Sequence, residues 1–268
     1  MSAITISRGS YTRGREVAQK AADKLGYECI SREVILETSK KFNIPEVKLV
    51  RAIHDAPSIL DRFRYGREKY IAFIQAEILR RMRNDNIIYC GLAGHFFVRD
   101  IRHVLQVRIL SDFEDRVQNE MEREKITAEA AAAILRRDDE ERRKWSQHLY
   151  GIDTCDPSLY DLVIHIKKMT VDDAVEIICN TVRMEHFQPT EQSRRAIEDL
   201  ALAAEVKVAL VNLKPNISVE VSNGIALIKT TARESQEEGL IEKMERIASA
   251  VPGIQKATMQ VRWKIPVD

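Results

Sequence analysis

The sequence predicts an α/β chain in which a parallel sheet flanked by helices is followed by a small α+β domain. Three observations carry that prediction. Short apolar runs alternate with helical patterns as far as Phe187. One of those runs, Ile87-Ile88-Tyr89-Cys90 closed by Gly91, is apolar without a break, as a strand covered on both faces must be. Beyond Gln188-Pro189-Thr190 the pattern becomes strands of strict two-residue alternation between helices, the order being α-β-β-α-β.

Each element follows from local chemistry. Ile4 to Ser7 is an apolar strand that runs into the turn-rich segment Arg8-Gly9-Ser10-Tyr11-Thr12-Arg13-Gly14. Val17, Ala18, Ala21, Ala22 and Leu25 then share one helical face, and Gly26 ends the helix. Cys29-Ile30 opens the next unit, Arg32 to Phe42 reads as helix, and Asn43-Ile44-Pro45 breaks it. A long helix spans Arg67 to Arg83, with Ile71, Ile74, Ile78 and Leu79 at helical spacing. Val104 to Leu110 reads as a strand, and Ser111-Asp112-Phe113-Glu114 as a capping box for the next helix. A very polar helix covers Thr127 to His148, Leu162 to Ile166 is the last strand of this half, and Thr170 with Asp173 caps a closing helix.

After the linker, a helix is predicted over Glu191 to Leu210. Ile217, Val219 and Val221 alternate with polar residues, Asn223-Gly224 is a two-residue hairpin turn, and Ile225 to Thr231 returns as the partner strand. A helix over Ser235 to Ala250 stops at Pro252-Gly253, and Ala257 to Trp263 alternates again. We expect an antiparallel sheet here, with helices on one face. The predicted domains are residues 1–187 and 191–264.

Composition narrows the function classes. The 268 residues carry 42 basic and 41 acidic side chains, a formal charge of +1, which excludes a basic nucleic-acid footprint over the whole molecule. No window approaches the roughly 18 apolar residues of a transmembrane segment. Met1 to Ser7 has no basic flank or apolar core of signal-peptide length. The four cysteines form no Cys-x-x-Cys pair and lack zinc-ligand spacing to histidine. The expectation is a cytoplasmic protein with reduced thiols.

Gly9 and Gly14 have the GxxxxG spacing of a phosphate-binding loop between a strand and a helix. Unpaired amides at a helix start point at an anion, so Arg8, Gly9, Ser10, Thr12 and Gly14 are candidate phosphate contacts. The Lys-Ser or Lys-Thr that usually follows is Arg15-Glu16 here. Arg15 offers positive charge as a fork rather than a compact ammonium, and Glu16 is a candidate magnesium ligand. A plain strand-to-helix turn is the alternative.

The surrounding residues resemble the cytidylate kinase-like family of nucleoside monophosphate kinases. The resemblance rests on Ile4-Thr5-Ile6-Ser7-Arg8, Gly14-Arg15-Glu16-Val17-Ala18, Leu25-Gly26-Tyr27 and Asn86 to Gly94. It continues through Asp139-x-x-Arg142-x-x-Trp145, Tyr150-Gly151-Ile152-Asp153 and Asp156 to Ile164, its most specific stretch, and covers residues 1 to 187. The resemblance implies a P-loop kinase-type parallel sheet flanked by helices, an acceptor-binding region and a helical lid. It also implies magnesium-dependent phosphoryl transfer from ATP to CMP or a related nucleotide, with Mg2+ and ATP as cofactors. On the same analogy the Gly9–Glu16 loop holds donor phosphates, with Arg15 and Arg142 serving transfer. Arg32 and Asp139 contact the acceptor, Arg142 its phosphate, and Arg136, Arg137 and Arg143 are lid candidates.

Several residues depart from the family pattern. Tyr11-Thr12-Arg13-Gly14 stands where relatives have Gly-Ser-Gly-Gly, so bulky side chains replace two glycines that allow close backbone approach. Leu92 replaces an arginine after Gly91, and Ser31 replaces an aspartate before the second helix. These departures motivate a second reading, a nucleotide-binding pseudokinase that signals through its second domain, and a third, a scaffold that binds no nucleotide. Asp139 and Arg142 lie three apart on one helical face, where they can simply pair with each other. His95 and His165 read as structural residues, and Cys90 as a small buried one. Arg62, Phe63, Arg64, Tyr65 and Arg67 form a cluster that suits an acceptor pocket or a structural surface equally.

Residues 191 to 264 resemble a BON domain, carried by Ile217 to Leu227 and by Val251-Pro252-Gly253-Ile254. The resemblance implies an αββαβ module associated with membranes or ligands. Without an export signal, sensing of a ligand or contact with a protein is the expected role.

Overall fold

The computed structural model describes residues 2–8, 11–31, 33–42, 66–91, 94–232 and 238–263. Their contacts divide the chain into two compact units, Met1–Arg62 with Asn84–Thr190, and Phe63–Arg83 with Glu191–Asp268.

In the first unit β1 (Ala3–Arg8) is followed by α1 (Tyr11–Leu25), β2 (Glu28–Ile30) and α2 (Glu33–Phe42). After α3 (Gly66–Met82), which belongs to the second unit, come β3 (Ile87–Cys90), α4 (Gly94–Phe97) and β4 (Val104–Ser111). The chain continues through α5 (Phe113–Glu124), α6 (Ala128–Tyr150), β5 (Leu162–Ile166) and α7 (Val171–Val182). The sheet order is β2-β3-β1-β4-β5, every pair parallel, so β1 is central. Ile4 lies between Ile88 and Leu105 in register, and Ile6 between Cys90 and Val107, all buried. Val17, Ala18, Ala21 and Ala22 of α1 pack into the same core as Ala174, Val175 and Ile178 of α7, as the apolar face of α1 predicts. Lys20 adds an ion pair to Asp172 at 2.8 Å.

Two local expectations are corrected. The segment Arg8 to Gly14 reads as turn-rich, but α1 already begins at Tyr11. Tyr11, Thr12 and Arg13 each tolerate helix better than glycine does. The expected capping box at Ser111 does not form either. β4 runs through Ser111, and Asp112, at the N-cap, makes no side-chain cap hydrogen bond. Its carboxylate turns instead to Lys167 and to His165, 2.9 Å away, and the Lys167 ammonium holds it below the usual carboxylate range. The box at Thr170 does form: Thr170 Oγ1 accepts from Asp173 N at 3.1 Å, and Thr170 N donates to the Asp173 carboxylate at 2.8 Å.

The second unit contains α3, α8 (Glu191–Leu210), β6 (Ser218–Ser222), β7 (Ile225–Ala232), α9 (Glu238–Ser249) and β8 (Lys256–Trp263). Arg83, just past α3, reaches Glu198 of α8 at 3.2 Å. Asn223-Gly224 makes the predicted turn with φ of 50° and 75°, and the Asp199 carboxylate accepts from both amides, at 3.0 and 3.3 Å. A side chain at Gly224 would also meet the Gly253 carbonyl at 2.9 Å, so the turn requires glycine. The sheet is mixed rather than antiparallel. β6 and β7 pair antiparallel through the hairpin, but β8 pairs parallel with β7, because the connection crosses over through α9.

Candidate functional site

In an open parallel sheet, ligands bind in the crevice beyond the carboxyl ends of the strands, where helix N-termini converge. Here those ends bring together Ser7 and Arg8 of β1, Cys90 of β3 and Arg108 near the end of β4. α1 is the next element after β1 in the chain, and the first-turn amides of a helix lack intrahelical partners. Cys90 Sγ–H points at the Gly14 carbonyl at 3.7 Å, so this buried cysteine packs β3 against α1 and acts as a small apolar residue.

Of the predicted phosphate contacts, Arg8 is the last residue of β1 and Thr12 the second of α1. Gly9, Ser10 and Arg32 lie outside the described residues, as do Leu92 and the cluster at 62–65. Gly14 is buried within α1, and Arg15 is exposed. Glu16 Oε2 lies 3.6 Å from Arg13 Nη1, and its Oε1 lies 3.4 Å from Lys20 Nζ. Both cations are about two-fifths exposed, so these pairs are weak. Mg2+ needs only one or two protein carboxylates beside phosphate oxygens and water. Glu16 fits that demand, since a divalent ion outcompetes two loosely held monovalent side chains.

The lid candidates lie on α6. Thr127 caps it, accepting from Ala130 N at 3.3 Å, and Gly151 ends it at φ 65° with its N–H on the Gln147 carbonyl at 2.9 Å. Asp139 does not pair with Arg142. Arg116 of α5 takes it in a two-pronged grip, Nη1 to Oδ2 at 2.7 Å and Nη2 to Oδ1 at 2.8 Å, from a largely buried position. Arg136 lies over the Phe113 ring at 5.0 Å, and Arg143 pairs with Asp153 at 2.9 Å. Arg142, three residues after Asp139 on α6, is half-buried, while Arg137 is exposed. The structure therefore gathers Asp139 with Arg116, and Glu16 with Arg13 and Lys20, as two separately fastened groups.

Sequence reading missed a third group. Tyr160, just before β5, places its Oη 3.0 Å from both Arg108 Nη1 and the Thr154 carbonyl, 3.3 Å from Ser7 Oγ and 3.4 Å from His95 Nε2. His95 is buried in α4, and its pKa is pushed down to about 3, first by burial and then by the Arg108 charge, so the ring is neutral. The signal available in the sequence was Arg108 itself, a cation inside the otherwise apolar run Val104 to Leu110.

Residues 3–168 match the model of the cytidylate kinase-like family. The chain belongs to that family. It is 27% identical over 188 residues to a cytidylate kinase of Archaeoglobus fulgidus, an alignment covering 69% of this chain and 97% of that protein. It is 28% identical over 184 residues to a cytidylate kinase of Thermoplasma acidophilum, covering 67% and 91%. Among solved structures, an uncharacterized protein from Eubacterium ventriosum superposes with a TM-score of 0.52 at 21% identity, over 68% of this chain and 98% of that one, a likeness of fold. Among the described residues no helix is long and apolar enough to cross a membrane.

Proposed function

We propose that residues 1–187 form a nucleoside monophosphate kinase that moves a phosphoryl group from ATP to CMP or a related nucleotide. The observation that carries this reading is the family match over residues 3–168, on a parallel sheet whose central strand is followed in the chain by α1. In the transfer, an oxygen of the acceptor phosphate attacks the γ-phosphorus, the bond to the β–γ bridging oxygen breaks, and ADP leaves. Such chemistry depends on position and positive charge more than on a covalent catalyst.

In this reading the amides at the start of α1, with Arg8, Gly9, Ser10, Thr12 and Gly14, hold the donor phosphates, and Arg15 adds charge at their edge. Bound Mg2+ would neutralise charge between phosphate oxygens, with Glu16 as its protein ligand. Asp139 contacts the acceptor nucleoside, held in aim by Arg116, while Arg142 takes the acceptor phosphate and Arg32 supports it. We read residues 191–264 as a BON-like module in the role of a ligand or protein contact, a reading supported by the α-β-β-α-β order of the elements from Glu191 to Trp263. An ATP-using enzyme of this kind belongs in the cytoplasm.

A coupled assay with CMP, UMP, dCMP and AMP tests the reading. Turnover with at least one acceptor is expected, and no product above blank with any of them rejects it. The pseudokinase alternative is favoured by a specific observation, the start of α1 at Tyr11 in place of a longer glycine loop. Calorimetry separates the two, because the alternative binds nucleotide without turning it over.

A further inference from the structure

The polar cluster around Tyr160 has no part in the scheme above, yet it joins four segments at the floor of the crevice. Ser7 ends the apolar part of β1, next to Arg8 where the phosphate loop begins, and pairs in register with Arg108 of β4. His95 sits in α4, just after β3. Thr154 lies in the short segment between Gly151, where α6 ends, and Asp156, which caps the turn Pro157–Leu159. Three of these side chains, Ser7, His95 and Tyr160, are buried, and Arg108 is half-buried.

The hydrogen-bonding capacity of the cluster is tightly used. A phenol offers one proton and two lone pairs. Arg108 Nη1 fills one lone pair at 3.0 Å, and the proton goes to the Thr154 carbonyl at 3.0 Å, leaving one lone pair for Ser7 at 3.3 Å or His95 at 3.4 Å. The same Arg108 nitrogen also donates to the Thr154 carbonyl, and the guanidinium lies 5.4 Å from the Tyr160 ring centre. The Thr154 carbonyl is thus gripped twice, by two side chains that are themselves bonded to each other. Asp153 reinforces the segment from within, accepting from Cys155 N at 2.9 Å and pairing with Arg143 of α6. His95 Nδ1 is buried without a hydrogen-bond partner, a cost that a core position chosen only for packing would avoid with an apolar side chain.

We infer that Tyr160 and Arg108 are positioning residues which anchor the C-terminal root of α6 to the end of β1, so that Asp139 and Arg142 keep their register with the phosphate loop. The kinetic part of this inference rests on the kinase reading; the mechanical part does not. A helix carrying acceptor contacts needs a fixed pivot, since a misplacement of about 1 Å at the reacting centre costs about a hundredfold in rate. The anchor acts on a carbonyl of the backbone, and neither residue needs to touch substrate to exert it.

Two variants separate position from charge and from packing. Tyr160→Phe keeps the ring and removes the hydroxyl, and Arg108→Lys keeps the charge and removes the fork. Steady-state kinetics, hydrogen exchange of the 150–157 peptide and the thermal midpoint are measured on the full chain. For both variants we expect kcat to fall at least about tenfold with KM for ATP within about twofold, and faster exchange at 150–157 with β1 and β4 unchanged. Wild-type kcat, or wild-type exchange at 150–157, in either folded variant overturns the inference. So does faster exchange throughout with kcat and KM moving together, the mark of a merely structural role. If the wild-type chain turns over no nucleotide, the kinase reading fails on its own, and exchange at 150–157 alone decides the anchor: faster in the variants upholds it, unchanged rejects it. Should Tyr160→Phe not fold, Arg108→Lys and Ser7→Ala answer the same question.

Discussion

Arg142 and Asp139 sit three residues apart on one helix, and the proposed function gives them different roles. Asp139 is held by the Arg116 fork at 2.7 and 2.8 Å, and in the proposed kinase reading Arg142 takes the acceptor phosphate. Arg142→Ala is therefore expected to weaken acceptor use by about 1.5–3 kcal/mol, the worth of a charge-assisted hydrogen bond, with KM for ATP unchanged. Initial rates against acceptor concentration check it, and unchanged kinetics would remove Arg142 from the acceptor site. His95 supplies a second test at this scale. Its folded pKa, about 3, lies below the ordinary histidine value, so between those limits the unfolded chain binds the extra proton and stability falls as pH falls. From pH 6 to pH 5 the wild-type protein should lose about 1 kcal/mol more than His95→Asn does, as read by denaturant unfolding at each pH. Equal losses would mean that the ring is not held neutral in the fold.

At the level of elements, the sequence is legible wherever local chemistry decides. Thr170 with Asp173, Asn223-Gly224 and the apolar faces of α1 and α7 all form as their residues demand. The failures arise where a distant partner competes. Asp112 is a good cap that Lys167 and His165 draw away, and the β8 pairing follows from the crossover through α9 rather than from anything in β8 itself. Tyr160 was read as part of a family motif, but its partners lie 6, 52, 65 and 153 residues away, beyond any local pattern. The cap at α7 gives the element-scale prediction: Thr170→Ala should lower stability by about 1 kcal/mol, and Thr170→Ser should restore most of it. Urea unfolding of the two variants measures this, and no loss in Thr170→Ala would show the helix start to be held by packing alone.

Over the whole molecule, the fold serves the site by converging strand ends. Placing β1 between β3 and β4 sets Ser7 beside Arg108 at the carboxyl ends of the strands, where Tyr160 ties them to His95 and Thr154, and the second unit builds its own core on α8 and α9. Alternation made the order of elements along the chain readable, because burial patterns repeat along each element, but not the parallel pairing of β8. The candidate site was readable only in part: Gly14, Arg15, Glu16, Asp139 and Arg142 stood out by spacing or resemblance, whereas the Arg116 grip and the Tyr160 cluster exist only in three dimensions. The central claim is that ATP phosphates seat on the first amides of α1. Hydrogen exchange with and without Mg-ATP tests it most directly. The account predicts slower exchange in the peptide spanning residues 8–17, and slowing confined to other segments, or none at all, would contradict it.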